Sequence, residues 1–439
     1  MKTHRLALGI ALGLLPFGLW AGFALPELLS AEQNGIWFWR RNLIILSGIV
    51  ALWWMSTGML LATRARWLEN MFGGLDKLYR LHKDVGIGAG IFVLVHWQLE
   101  WLPKKLAKLG WLPSRPRGPK QHDLWLDLAK DVGEWAGYLL MALVVIALLR
   151  RIPYRAFRLV HKAFGAIFIA GAFHGLLLLP KDFWQTPLGW STLVVAAIGV
   201  VPALLSLSGR LGRTRQHPAR IEHLRQQPGG VLELTCRPES WPGHRAGQFL
   251  FIDFGTPVEG AHPFTIASAW APEQGTLTLA IKALGDFTNR LSDHIRTGQT
   301  VRLEGPYGRF DFDISRPGVK PASQIWVAGG IGVTPFLARL QALAQTGERS
   351  DIDFFYACAG DSDFPAQLET LCAQTGVRLH PRRTDRDGPF SLPEITRHLR
   401  TQCSVWFCGP RRWGESLSQA CRQGGLPTHQ FHQEAFEFR

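Results

Sequence analysis

The sequence predicts two unlike halves in one chain: a membrane bundle of six transmembrane α-helices, then a soluble module in which a small antiparallel β-barrel precedes an α/β domain. Three observations carry this. Apolar runs rich in Leu, Ala, Gly and Trp recur up to about residue 210, each near the ~20 residues needed to cross a bilayer core. Basic residues gather beside those runs. Beyond them the chain alternates short β-rich and turn-rich segments with ordinary charge.

The apolar runs cover approximately residues 6–25, 43–62, 81–102, 132–149, 159–179 and 188–207. The first follows Lys2 and Arg5 like a signal peptide. Its length, the lack of a small-x-small cleavage site and the later spans make it a retained anchor.

The chain carries a formal net charge of +14. No nucleic-acid module accompanies this charge, which excludes nucleic acid as the expected partner. Much of it flanks the spans instead: Arg64, Arg66, Lys77 and Arg80; Arg150, Arg151, Arg155 and Arg158; Arg210, Arg213 and Arg215. Cytoplasmic loops are enriched in Lys and Arg, so the amino terminus and the soluble half are expected in the cytoplasm. The loop with Lys104, Lys105, Lys108, Arg115, Arg117, Lys120 and Lys130 would then face outward, against that trend. Such a loop could draw an anionic acceptor or rest on lipid headgroups. All six cysteines lie in the soluble half without CxxC spacing, as a reducing compartment predicts; neither a structural disulfide nor a zinc site is indicated.

Histidine inside a membrane span needs partners for its ring nitrogens and is a functional candidate by default. His82 and His96 share the third run, and His161 and His174 the fifth. At ~1.5 Å rise per residue each pair is separated by roughly 20 Å, placing one imidazole near each bilayer face. Haem iron held by two histidines needs imidazoles facing each other across a porphyrin, so His82 is expected opposite His161 and His96 opposite His174. The fourteen-residue step of the third run returns both rings to nearly one side of the helix. The thirteen-residue step of the fifth does not, and calls for local overwinding, which Gly165, Gly171 and Gly175 could permit.

In the soluble half, strands are expected at residues 231–235, 248–254, 277–282 and 301–303. The segment His262-Pro263-Phe264-Thr265-Ile266-Ala267-Ser268 follows Gly247-Gln248-Phe249; Phe264, Thr265 and Ser268 offer the apolar cover and hydroxyls that a flavin ring asks for. Ile281-Lys282-Ala283-Leu284-Gly285-Asp286-Phe287-Thr288 places a cation, a small residue and a hydroxyl where a strand meets a turn, as phosphates require. Glu304-Gly305-Pro306-Tyr307-Gly308 closes the barrel.

From Gln324 the pattern becomes strand, glycine-rich turn and helix. Gly329-Gly330-Ile331-Gly332-Val333-Thr334-Pro335 lets backbone amides approach a pyrophosphate, and the helix is expected from about Phe336. Val405-Trp406-Phe407 reads as a buried strand ending in Cys408-Gly409-Pro410, where a nicotinamide would lie; Cys408 could equally be a core residue. The domains are expected at residues 1–210, 215–318 and 319–439.

Together, the paired histidines, His262-Pro263-Phe264-Thr265, Gly285-Asp286-Phe287-Thr288, Gly329 to Pro335 and Cys408-Gly409-Pro410 resemble the NADPH oxidase and ferric reductase superfamily over nearly the whole chain. The likeness is to compact bacterial members, since no calcium-binding extension precedes the first helix. It implies a ferredoxin-reductase-like soluble module with a Rossmann-like nucleotide domain, on a multi-pass protein of the bacterial inner membrane. It also implies a relay from NADPH or NADH through FAD and two b-type haems to oxygen or a ferric chelate outside. His82, His96, His161 and His174 would be the iron ligands. Cys408 would take a catalytic place, with Phe436 the aromatic that covers the flavin; Phe438 and a plain core role stay open. An obligate protein partner is not indicated, although a haem-bearing subunit serving a protein or quinone partner is the alternative. Many NADPH users carry a basic residue after the strand that here reads Phe354-Phe355-Tyr356-Ala357-Cys358. This chain has Ala359-Gly360-Asp361, with Arg382 and Arg383 as other candidates for a ribose phosphate, so the choice between NADH and NADPH stays open.

Overall fold

The computed structural model describes residues 2–30, 35–114, 123–149, 154–255, 260–312, 323–360 and 364–434. Contacts divide the chain into two compact units, Met1–Phe72 with Lys77–Leu211 and Gly73–Asp76 with Gly212–Arg439.

The first unit is helical: α1 (Lys2–Ser30), α2 (Ile36–Leu61), α3 (Arg66–Phe72), α4 (Leu75–Lys108), α5 (Leu124–Leu148), α6 (Tyr154–Leu177) and α7 (Pro187–Leu207). Local signals set the starts. Asp123 caps α5 by accepting from the Trp125 and Leu126 amides at 2.9 and 3.3 Å. Thr186 caps α7, where Pro187 opens the helix without a wasted N–H. Among the described residues five helices are long and apolar enough to cross a membrane, and the apolar stretch of α1 covers only Ala7–Phe23. Six full spans are therefore more than the described residues establish. Ile91, Val95, Leu139, Val145, Val194 and Val201 point out of the bundle, as helix faces turned to lipid do.

Small residues let α6 and α7 approach closely. A methyl at Gly165 would stand 3.3 Å from the Ala203 carbonyl, and one at Gly199 would strike Phe168. By contrast, among the described residues α4 meets its neighbours chiefly through side chains, with Gly88 set against Trp54 of α2 and Gly90 against Val144 of α5.

The second unit begins with an antiparallel sheet made of β1 (Gln216–Gln227), β2 (Val231–Pro238), β3 (Phe249–Asp253), β4 (His262–Thr265), β5 (Leu277–Lys282) and β6 (Thr300–Tyr307). Helix α8 (Asp286–His294) lies between β5 and β6. The strand order is β4-β3-β6-β1-β2-β5, and a bridge between Ile266 and Leu279 joins the two edges. Ile221, Leu234, Leu250, Ile252, Leu279 and Leu303 fill the interior.

The α/β layer follows: β7 (Ser323–Gly329), α9 (Thr334–Thr346), β8 (Ile352–Cys358), α10 (Phe364–Thr375), β9 (Arg378–Arg383), α11 (Thr384–Asp387), α12 (Leu392–Thr396), β10 (Cys403–Cys408), α13 (Arg411–Gln423) and β11 (Phe431–Gln433). All pairings are parallel, in the order β11-β10-β7-β8-β9. Every residue of β8 and β10 is buried, as expected of parallel strands covered on both faces. The order reverses between β7 and β10, and ligands of such sheets bind at that switch point, beyond the carboxyl ends of the strands.

Candidate functional site

Helices α4 and α6 carry two facing pairs of imidazoles. The rings of His82 and His161 lie 5.9 Å apart and those of His96 and His174 6.2 Å apart, between centroids, at interplanar angles of 70° and 87°. Neighbouring helices fix three of the four rings. His82 Nδ1 donates to the Gly58 carbonyl at 2.9 Å, His96 Nδ1 to that of Ile44 at 3.0 Å, and His174 Nδ1 to that of Ala129 at 2.8 Å. A proton committed to Nδ1 leaves Nε2 with its lone pair free, the arrangement that orients metal-binding histidines. Among the described residues His161 Nδ1 is buried without such a partner; this ring is held by Phe157 and Phe164, 5.0 and 4.9 Å away.

Two glycines make room for the rings. A methyl at Gly48 on α2 would sit 3.1 Å from His96 Cε1, and one at Gly133 on α5 would overlap the ring of His174. Around His96 and His174 opens a cavity of about 750 Å³, lined in part by Gly48, Gly133, Gly137 and Gly171. This volume falls in the ~300–1,000 Å³ range of cofactor sites. At the same level Arg40, 8% exposed, donates to the Leu99 and Glu100 carbonyls at 3.0 and 2.9 Å and pairs with the Glu100 carboxylate.

The donor set fits a bis-imidazole iron. Two imidazole–metal bonds of about 2.0–2.1 Å in line span ~4 Å, and the ring radii on either side account for the rest of the 5.9 and 6.2 Å between centroids. At the level of His96 and His174 the cavity offers the room that a flat macrocycle requires.

In the antiparallel sheet, β4 carries His262, Pro263, Phe264 and Thr265 beside β3. Thr265 Oγ1 is buried without a hydrogen-bond partner among the described residues, and a flavin ring edge would satisfy it. The Ser268 hydroxyl accepts from the Thr278 amide at 3.0 Å and the Ser268 carbonyl from His244 Nε2 at 2.9 Å, so this serine is tied on both sides. His262 stacks on Phe287 at 3.9 Å. Ile281 is buried in the barrel core while Lys282, next along β5, is partly exposed. Thr288 caps α8: its Oγ1 accepts from the Leu284 and Gly285 amides at 3.0 and 3.1 Å. Its hydroxyl thus shapes the helix start, leaving the next amides of α8 to face an anion.

At the switch point the loops after β7 and β10 interlock. A methyl at Gly332 would overlap the Cys408 carbonyl, one at Gly409 would meet the Gly329 nitrogen at 3.1 Å, and one at Gly329 would meet Pro410 at 2.8 Å. Gly330 takes φ +56° and opens a single 3₁₀ turn, Gly330–Val333. Helix α9 then starts at Thr334, with Pro335 in its first turn, two residues before the expected Phe336, because the 3₁₀ turn already points the chain along the helix. Cys408 is fully buried, and burial followed by the charge of Glu434 pushes its thiol well above the ordinary value. Its thiol is therefore uncharged at neutral pH. Phe436 and Phe438 lie outside the described residues.

Several parts of the site escaped the sequence. Gly48 and Gly133 look like ordinary helix glycines until the imidazoles are placed against them. His244 anchors the loop after β4 through the Ser268 carbonyl while accepting from Trp241 Nε1 at 3.1 Å, a contact that no local sequence pattern reports. Near the amino end of β8 ligand atoms of Asp353, His380 and His398 come within 4.8 Å of one another. There Asp353 also accepts from Arg378 at 3.0 and 2.7 Å, which makes the group a neutralised charge network.

Sequence comparison gives two family matches: a ferric reductase like transmembrane component over residues 47–172 and an FAD-binding domain over residues 217–311. Among curated proteins, a superoxide-generating NADPH oxidase heavy chain of Dictyostelium discoideum is 24% identical, over 65% of this chain and 66% of that protein. Ferric reduction oxidase 4 of Arabidopsis thaliana is 40% identical, over 43% of this chain and 28% of its own. Dual oxidase 2 of Sus scrofa is 28% identical, over 46% and 13%. The chain thus spans less than two thirds of the length of these curated relatives.

Proposed function

The chain belongs to the NADPH oxidase and ferric reductase superfamily, and from that membership we propose a transmembrane oxidoreductase that moves electrons from cytosolic NAD(P)H to oxygen or a ferric chelate on the opposite face. The observation that carries this reading is the pair of facing imidazoles at two levels of α4 and α6, in one chain with an FAD-binding domain. In this reading α1 is the sixth span of a protein of the bacterial inner membrane, with its amino terminus and reductase module in the cytoplasm.

His82 and His161 hold the inner haem, and His96 and His174 the outer one. FAD held here would supply the conversion of a two-electron hydride donor into single-electron transfers, and haems held by the two histidine pairs would supply the route between the faces of the membrane. The chain's own groups position these cofactors. Thr265 and the backbone around Ser268 meet the flavin ring edge, with Phe264 as apolar cover. Lys282, the amide of Gly285 and the start of α8 face the flavin phosphates. The turn from Gly329 to Pro335 receives the nucleotide pyrophosphate, and Cys408, Gly409 and Pro410 form the wall at the nicotinamide, with Phe436 over the flavin.

The test is anaerobic reduction of the detergent-purified, haem- and FAD-loaded protein by NADH or NADPH, followed spectroscopically, then reoxidation by oxygen or ferric citrate in separate mixes. Bis-histidine b-type spectra that reduce on nucleotide addition are expected. Faster reoxidation by oxygen with superoxide release makes the protein an oxidase, and preference for ferric citrate makes it a metalloreductase. Absence of haem reduction by either nucleotide would sink the relay.

A further inference from the structure

Coenzyme choice is written at the carboxyl edge of β8 and β9. Strand order puts the pyrophosphate turn after β7 and the nicotinamide wall after β10. A dinucleotide stretched across the switch point therefore lays its adenosine half the other way, over the ends of β8 and β9. The two ends are tied together there: Thr384 Oγ1 donates to the Cys358 carbonyl at 3.1 Å, and Asp385 accepts from the Gly360 amide.

A 2′-phosphate needs an available cation at this edge, whereas a bare 2′-hydroxyl needs an acceptor. Two of the three arginines at this edge are already engaged. Arg382 pairs in a fork with Glu394, at 2.7 and 3.2 Å, and lies 4.3 Å over the Phe390 ring. Arg383 meets the Asp385 carboxylate at 2.9 Å, and its amide donates to Asp387 at 3.3 Å. Arg386 is exposed on the same turn between Asp385 and Asp387. Arg382, Arg383 and Arg386 are thus balanced by Asp385, Asp387 and Glu394. The Arg383 guanidinium holds the Asp385 carboxyl at about 2, and the Arg382 guanidinium holds that of Glu394 at about 2, so both acids stay charged throughout the physiological range. A phosphate monoester bringing about −1.5 to −2 charge would have to take a guanidinium from its carboxylate.

Resting on the pyridine-nucleotide reading above, we infer that this protein selects NADH over NADPH, with Asp385 as the residue that accepts from the ribose hydroxyls and bars a 2′-phosphate. The preference belongs to recognition and precedes hydride transfer, so it also appears in binding of nucleotide fragments.

The experiment compares kcat/KM for NADH and NADPH on the loaded full-length protein. Calorimetric binding of 5′-ADP and 2′,5′-ADP gives a readout independent of turnover. NADH is expected to win by roughly tenfold or more, with 5′-ADP the tighter fragment. Asp385→Ser frees Arg383 and should narrow the ratio from the NADPH side, and Glu394→Gln frees Arg382 as a second route should the first variant fold poorly. Equal use or preference for NADPH, or tighter 2′,5′-ADP in the native protein, overturns the inference while leaving the electron-transfer reading intact. Failure of both nucleotides to reduce the flavin overturns that reading itself.

Discussion

The ring of His174 occupies the space that a side chain at Gly133 would fill, and its Nδ1 donates to the carbonyl of Ala129, one helical turn earlier on α5. One helix thus supplies both the room for the imidazole and the acceptor that aims it. Gly133→Ala must push the ring away, at an overpacking cost of ~1–3 kcal/mol. The expected result is loss of the haem proposed at His96 and His174, read as haem content falling from the proposed two per chain towards one. Gly48→Ala, whose methyl would stand 3.1 Å from His96, should leave content nearly intact. Full haem content in Gly133→Ala would show that this glycine does not gate the site.

His161 differs from its three counterparts, because its Nδ1 has no hydrogen-bond partner among the described residues and only aromatic packing orients it. Replacing it with Ala removes one proposed iron ligand and, among the described residues, breaks no hydrogen bond to a neighbouring helix. The outer haem should remain and be reducible by dithionite, yet no longer by NADH or NADPH. Undiminished turnover in His161→Ala would remove it from the relay. Because its orienting bond is missing, His161→Ala should perturb the surrounding helices less than His82→Ala, which also removes a hydrogen bond to the Gly58 carbonyl of α2.

The legible and illegible parts of the molecule separate by physical cause. Spans, paired histidines and the turn at Gly329 to Pro335 are readable because each is a local pattern: an apolar run, a helical spacing, a glycine cluster between strand and helix. Strand β1 (Gln216–Gln227) was not, since its polar sequence pairs through the backbone with β2 and β6 and little of its side-chain pattern alternates. The outer limits of α4 were also missed, because the polar ends of a span continue as helix beyond the apolar run. Contacts such as Gly332 with Cys408 join residues far apart in sequence, and no single-sequence pattern reports them.

Asp353 ties β8 to β9 at the edge away from the nucleotide. Burial raises its carboxyl, but Arg378 and His380 outweigh this and leave it well below the usual carboxylate range. A carboxyl depressed in the folded state contributes stability that is present above its unfolded value of about 3.9 and is lost as pH falls through the folded value. Acid sensitivity from this group should therefore begin below pH ~4. At neutral pH Asp353→Asn should lower stability by ~1–3 kcal/mol, seen as earlier thermal unfolding of the full chain with haem spectra unchanged. An unchanged melting curve would show that Arg378 and Arg400 find enough compensation in Asp351.

His244 gives the barrel a pH response at milder acidity. Its Nε2 donates to the Ser268 carbonyl, Trp241 donates to its Nδ1, and Trp270 packs against the ring at 5.5 Å. Burial, partly offset by the Ser268 bond, pushes its value down from 6.5 to about 4. A histidine that must stay neutral when folded makes unfolding easier as pH drops, so its contribution is complete above ~6.5 and declines as pH falls through the folded value. The loss amounts to at most ~3 kcal/mol. The added proton falls on Nδ1 and opposes the Trp241 N–H that donates to it, so the ring that holds Ser268 is displaced and flavin retention should fall over the same interval, from pH ~6.5 towards about 4. Measured by flavin fluorescence released on acidification, this transition should flatten in His244→Phe, which keeps the aromatic packing and has nothing to protonate. The variant should also bind FAD less tightly at pH 7 for want of the Ser268 bond. A transition that survives unchanged in His244→Phe would assign the acid release to other groups.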